Sequence, residues 1–333
     1  MTVTDGVAPD AQHAGRLNTA GAAVAGTVLD QARTYRDAAD ARATTRAYHS
    51  DQAHYASWCG RKQLQAFPAR PEIVSAYLGD HAATHSMATL RRRVAAIRRH
   101  TQEDGQQFES SSAVVRATLR GIAKRHGRPQ RRAAAITTRD IRRMVARCGS
   151  DLAGRRDRAL LLLGFAAALR RSELVALERE DILFTQAGMR VTIPRSKTDQ
   201  AAEGVTLNVL KGAVRETCPV LSLQAWLDSA AIQYGPLFRM VNRWGTVEHQ
   251  ALSPGTVRLI LHRRAAAAGV TGTSHETLSP HGLRAGFITT AYNAGVRDED
   301  IMKHARHKSH ATMRRYVRTL ELANSSITAK LGL

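Results

Sequence analysis

Residues 279–318 read SPHGLRAGFITTAYNAGVRDEDIMKHARHKSHATMRRYVR. Four side chains in this stretch suit a phosphodiester: His281 and Arg284, spaced H-x-x-R, then His307, and Tyr316 nine positions beyond it. A separation of three puts His281 and Arg284 on one side of a helical turn. An ordinary phenol has a pKa of about 10, so at pH 7 about one in a thousand is ionised, and its use as a nucleophile costs on the order of 4 kcal/mol. Cations near the oxygen offset that cost, and an imidazole can take the proton. Singly, these residues say little. His281 follows Pro280 and reads equally as a helix cap, and Tyr316 reads equally as a half-buried aromatic. A metal alternative rests on His304, His307 and His310, which recur every three residues. With no carboxylate or Cys among them, and a spacing that drifts around a helix, no metal and no cofactor is expected.

What the stretch lacks lies upstream. RDRALLLLGFAAALRRSELVAL, residues 156–177, reads as a buried helix that breaks near Leu169 and restarts at Ser172. Arg170 sits in the break. Its plain reading is the first surface residue after an apolar run, but Glu173, three residues on, can brace its guanidinium. Three alternating segments, 181–184, 189–194 and 204–209, read as antiparallel strands. Between the last two, PRSKTDQAAEG carries Lys197 near the tip of a polar hairpin, which taken alone is a solvated lysine.

The remainder supplies charge. The chain has 333 residues, enough for two domains, with 49 Lys+Arg against 28 Asp+Glu and a net charge of +21. The arginines are spread through helical patterns rather than gathered in one tail, which points to DNA or RNA as partner. Residues 1–40, rich in Ala, Gly and Thr, read as a flexible arm with a short helix near Val28–Ala39. Helical patterns then run over 41–127. Tyr48, Tyr55, Trp58 and Cys59 share a face in the first, and Pro71 opens the second. In SMATLRRRVAAIRRHTQ, Leu90, Val94 and Ile97 make a buried stripe. Arg91, Arg92, Arg93, Arg98 and Arg99 crowd the other sides without acidic partners four residues on, so a phosphate backbone is expected to balance them. A basic linker, 128–137, carries Arg131 and Arg132 and can lie along DNA. The second domain, 138–333, begins with Thr138 as helix cap and ends in an apolar tail, Leu320–Leu333. Cys59, Cys148 and Cys218 read as reduced thiols. No apolar run reaches about 18 residues and no secretory leader is seen, so a cytoplasmic, nucleoid-associated protein with no membrane partner is expected.

The order R-x-x-E, K, H-x-x-R, H and Y resembles the tyrosine recombinases, the phage-integrase-type site-specific recombinases. The resemblance covers nearly the whole chain and looks closest to the Cre-like branch in RRSELVALEREDI, SKTD and SPHGLRAGF. It implies a fold that is mainly α with a small antiparallel β-sheet (α+β). A helical core-binding domain and a mixed α/β catalytic domain would form a C-shaped clamp. It also implies roles. Arg170 and Arg284 bind the phosphate, and Glu173 supports Arg170. Lys197 protonates the leaving 5′-oxygen, His281 and His307 fill the two histidine positions, and Tyr316 attacks. One departure stands out, because the family usually has Gly before the second histidine and this chain has Arg306. The expected partner is double-stranded DNA with a specific target site, bound by a tetramer on two sites. The tail would be donated to a neighbouring protomer. The competing readings are a non-catalytic DNA-binding regulator on the same fold and a type IB topoisomerase.

Overall fold

In the computed structural model the described residues are 30–31, 34–35, 42–129, 131–194, 204–273 and 275–317. They form two units that divide after Pro129. The arm expected over 1–40, apart from four residues, the hairpin tip with Lys197 and the tail Leu320–Leu333 lie outside the described residues.

The described residues of the first unit include the helices α1 (Arg42–Arg61), α2 (Pro71–Asp80), α3 (Met87–Glu103) and α4 (Ala113–His126). Each begins where the local chemistry allows. Pro71 occupies the first turn of α2, where its missing N–H costs nothing. Ser86 and Ser112 accept the Thr89 and Val115 amides at 3.2 and 3.4 Å and so cap α3 and α4. Helix α1 packs on α3 and α2 on α4, burying Tyr55, Trp58 and Tyr77 with the stripe Leu90, Val94 and Ile97. Tyr55 and Trp58 meet the Tyr77 ring edge-on at 5.1 and 5.4 Å.

The arginines of α3 divide differently from the sequence reading. Arg91, Arg92 and Arg98 are exposed. Arg93 is not a surface cation: it is 6% exposed, lies over the Tyr77 ring and faces Asp51 at 3.5 Å. Arg92 clamps the same carboxylate with two bonds, 2.7 and 3.1 Å, and Arg99 has an acidic partner after all, Glu103 at i+4 and 2.6 Å. The reason is Asp51. A carboxylate buried on α1 must be paired, and α3 is the element that crosses it. Arg91 joins the exposed Arg116 and Arg120 of α4 in lining one basic cleft.

The second unit runs β1 (Arg132–Ala133), α5 (Thr138–Ala146), α6 (Leu152–Ala166), α7 (Arg171–Ala176), β2 (Ile182–Phe184), β3 (Gly188–Ile193) and β4 (Val205–Leu210). It continues with α8 (Pro219–Ser229), β5 (Arg239–Val241), β6 (Val247–Ala251), α9 (Pro254–Ala267), β7 (Glu276–Thr277), α10 (His281–Asn293), α11 (Asp298–Ala305) and α12 (His310–Arg314). Helix α6 is the axis. Residues Ala159–Leu163 are all buried, and α8 and α10 pack against it. Strands β2, β3 and β4 form an antiparallel sheet whose alternate residues Val191, Ile193, Leu207 and Val209 enter the core. The architecture is mainly helical with small sheets, as the sequence implied. Among the described residues no helix is long and apolar enough to cross a membrane.

Part of the expected linker is folded into this unit. Arg132–Ala133 pairs in parallel with Glu276–Thr277, Ile136 is 1% exposed, and Thr137, not Thr138, caps α5 in a reciprocal box with Asp140. A two-residue strand carries no periodicity, so composition alone could not reveal it. This segment explains two glycines of SPHGLRAGF. The backbone of Ala134–Ile136 crosses α10 so closely that the Ile136 amide bonds the Gly282 carbonyl at 3.0 Å. A Cβ on Gly282 would stand 2.3 Å from the Ala134 oxygen, and one on Gly286 only 1.7 Å from the Ile136 oxygen. Gly286→Ala must push α10 off this segment. A loss of about 1–3 kcal/mol is expected, read as a lowered thermal midpoint, and an unchanged midpoint would contradict the contact.

Candidate active site

The site is assembled where α6 ends. Ala167 and Leu169 are buried, and between them Ala168 adopts a positive φ of 46°, so the chain turns sharply before α7. Arg170 therefore caps α7 from an extended conformation. Its amide donates to Glu173 Oε2 at 2.8 Å and its Nη1 to Oε1 at 2.6 Å, the brace that the R-x-x-E spacing implied. The Glu173 side chain is 2% exposed. Burial alone would raise its pKa, but the Arg306 charge and the Arg170 amide and guanidinium outweigh that and hold it below the usual carboxylate range.

Arg284, on the first turn of α10, is 1% exposed. Its Nη1 donates to the Ala168 carbonyl at 2.8 Å, its Nη2 to the Ala305 carbonyl, and its Nε to His307 Nε2 at 3.2 Å. Burial, then the neighbouring Arg170 and Arg306, push its pKa down to about 9, which still leaves a cation at neutral pH. His307 follows α11. Burial first, and Arg284 second, push its pKa down to about 4, so the ring is neutral. Because Nε2 accepts from Arg284, the ring proton belongs on Nδ1, a buried atom with no acceptor among the described residues.

Tyr316 sits between the two imidazoles. Its ring centroid is 5.2 Å from that of His281 and 5.0 Å from that of His307, and its hydroxyl meets His281 Nε2 at 2.8 Å. Its backbone is anchored independently. Ser309 caps α12 and Met313 is fully buried beside Ile288, Ile301 and Ala305. The buried Thr289 hydroxyl donates to the Tyr316 carbonyl at 2.8 Å. Protein crowded around His281, then Arg284 and Arg170, lower the His281 pKa, so it too is a neutral ring able to accept a proton.

Six of the seven expected catalytic residues, Arg170, Glu173, His281, Arg284, His307 and Tyr316, thus come together, while Lys197 lies outside the described residues. Arg131 and Arg132, read from sequence as linker cations, line the mouth of the cleft with His281, Thr312, Arg315 and Tyr316. The other histidines of the triplet are occupied otherwise. His304 bonds the Ala166 carbonyl at 2.8 Å and stacks on Phe287, while His310 lies 3.9 Å from Asp298. Sequence reasoning passed over Thr289, whose hydroxyl carries no motif signal. It also flagged Arg306 only as a departure.

A pH test follows from His307. The folded protein takes up its proton near pH 4, the unfolded chain near the ordinary value of about 6.5. Below about pH 6.5 the unfolded state is therefore the better proton acceptor, and the contribution of this ring to stability, complete above that pH, is lost as pH falls toward about 4. The thermal midpoint of His307→Gln should decline less steeply than that of the wild type over this window. Parallel curves would refute the assignment.

Residues 134–322 match the Phage integrase family. The "Integrase/recombinase xerD homolog" of Selenomonas ruminantium is 33% identical over 278 residues, spanning 82% of this chain and 81% of that protein. The lambda integrase(75–356) dimer bound to a COC′ core site superposes with a TM-score of 0.60 at 16% identity, covering 91% of this chain and 99% of that one. A lambda integrase tetramer bound to a Holliday junction gives 0.58 at 15% identity, covering 91% and 80%. These names support the family and give no support to the Cre-like branch in particular. Charge, fold and match agree: the chain belongs to the phage integrase family of tyrosine recombinases, enzymes that cut and rejoin DNA at specific sites.

Proposed function

We propose that Tyr316 attacks a scissile phosphate of double-stranded DNA, with His281 Nε2 taking the phenolic proton. The observation that carries this is the 2.8 Å contact between the Tyr316 hydroxyl and a neutral His281, beside the two guanidiniums of Arg170 and Arg284. As the phosphorus–O5′ bond breaks, charge gathers on the non-bridging oxygens. Arg170 and Arg284 neutralise it, and His307, beside Arg284, is a further donor by the family resemblance. Lys197 delivers the proton to the departing 5′-oxygen, a role that rests on the family resemblance alone. The products are a 3′-phosphotyrosyl bond and a free 5′-hydroxyl. Because that bond retains the phosphodiester energy, a 5′-hydroxyl from a second duplex reverses the step without ATP, and strands are exchanged.

The basic cleft of Arg91, Arg116 and Arg120, with exposed Arg98, supplies sequence-independent affinity in the first unit. Two rounds of exchange through a Holliday junction call for four protomers, by analogy with the lambda integrase tetramer. The protein then works on the nucleoid in the cytoplasm. Incubation with sheared genomic DNA of the source organism, followed by boiling in detergent, is expected to leave DNA linked to the protein. Complete release of free protein would fit a non-catalytic regulator and overturn the reading. Relaxation of a supercoiled plasmid lacking the trapped site would favour a topoisomerase.

A further inference from the structure

Arg306 occupies a position that the backbone would give to glycine. It ends α11 at φ 56° and ψ 48°, the left-handed region that a Cβ disfavours. The carbonyls of Met302 and Lys303 are closed there by the His307 and Arg306 amides at 2.9 and 3.2 Å, so the turn itself needs no side chain. Yet the side chain is far from idle. It is 5% exposed and turned inward. Nη1 donates to the Ala167 carbonyl at 3.1 Å and to the His304 carbonyl at 3.0 Å. Nη2 donates to the Ala168 carbonyl at 2.9 Å and to Glu173 Oε2 at 2.9 Å.

Two of those acceptors also hold groups of the proposed site. Glu173 is the carboxylate that holds Arg170 by amide and guanidinium. The Ala168 carbonyl is shared with Arg284 Nη1. Arg306 itself immediately precedes His307. One planar guanidinium therefore joins the break before Arg170, the carboxylate beneath it, the carbonyl that seats Arg284 and the turn that presents His307. A planar fork with donors on both edges can satisfy these four acceptors together, whereas an ammonium or water reaches fewer.

We propose that Arg306 is a positioning residue for strand cleavage, fixing Arg170, Arg284 and His307 relative to one another through Glu173 and the Ala167–Ala168 carbonyls. The inference rests on the reading of those three residues as phosphate-binding groups. The Arg306 side chain runs toward the end of α6 and toward α7.

The test compares Arg306→Gly and Arg306→Lys with the wild type. The substrate is a nicked duplex spanning the site mapped by covalent trapping, and the readout is single-turnover cleavage at saturating DNA. Glycine relaxes the backbone while deleting the guanidinium, so the variant is expected to fold, to bind DNA as the wild type does, and to cleave about 100-fold more slowly, the scale of a small misplacement of reacting groups. Free guanidinium ion should restore part of that rate, and sodium chloride at equal concentration should not. Lysine keeps the charge and should remain well below wild type. Wild-type cleavage by either variant overturns the proposal, even if the other fails to fold. So does a slow glycine variant that guanidinium leaves unimproved, since that marks a purely structural loss. If the wild type itself forms no adduct, the reaction reading fails. A wild-type adduct with an equally active glycine variant removes only the role of Arg306.

Discussion

Tyr316→Phe is expected to abolish the detergent-resistant DNA adduct while DNA binding and thermal stability stay as in the wild type. The substitution removes one oxygen, and the observed contact of that oxygen is with His281 Nε2 at 2.8 Å. Everything that holds the residue in place is retained. The ring still packs beside Met313 and Ile288, the carbonyl still accepts from Thr289, and the amide still bonds Met313. Among the described residues no other hydroxyl hydrogen-bonds to either imidazole. With the attacking oxygen removed, the expected loss of the adduct is complete rather than graded. The check is a labelled nicked duplex resolved in denaturing gels, with binding measured in parallel at the same salt concentration. An adduct formed by the Phe variant would assign the nucleophile elsewhere.

Arg284→Ala should be nearly as severe for a different reason, because this guanidinium supports both chemistry and fold. Deleting one preorganised donor to a transition-state oxyanion typically costs about 2.7–4 kcal/mol, or about 10²–10³ in rate. The same change strips the side-chain donor from the buried Ala305 carbonyl, whereas the Ala168 carbonyl keeps Arg306, and an unsatisfied buried polar group costs about 1–3 kcal/mol. A lower thermal midpoint should therefore accompany the slower cleavage. Arg170→Ala differs, because its side chain is 20% exposed and its amide keeps the bond to Glu173, so its rate should fall with a smaller change in melting. Arg284→Lys is expected to rescue neither property, since one ammonium cannot reach two carbonyls, His307 and a phosphate together. Single-turnover cleavage and melting curves separate the two effects, and a fast lysine variant would remove the case for a two-pronged clamp.

Much of this could be read without coordinates, and the reason is local. R-x-x-E and H-x-x-R are contacts within one helical turn, so spacing implies them directly, and the Arg170–Glu173 bond follows from it. The stripe Leu90, Val94 and Ile97 and the apolar run of α6 are periodic signals of the same kind. The readings that failed were those in which a partner comes from far along the chain. Arg93 looked like one of five surface cations because Asp51, on another helix, gives no sign of where it will be buried. Arg131 and Arg132 looked like linker because the pairing of β1 with β7 spans more than half the second unit.

The amino-acid sequence by itself determined the family, the helical character, the excess of positive charge and the candidates for the reacting groups. These depend on residue type and short spacing. Tertiary structure decided what those groups touch: Tyr316 against His281, 35 residues away, and Arg306 against Glu173, 133 residues away. Such contacts arise only when a helix break, a left-handed cap and a close glycine crossing bring distant backbone together. Arg306 shows the difference most clearly. In sequence it is a departure beside a histidine, and in the folded chain it is the donor around which both arginines and that histidine are arranged.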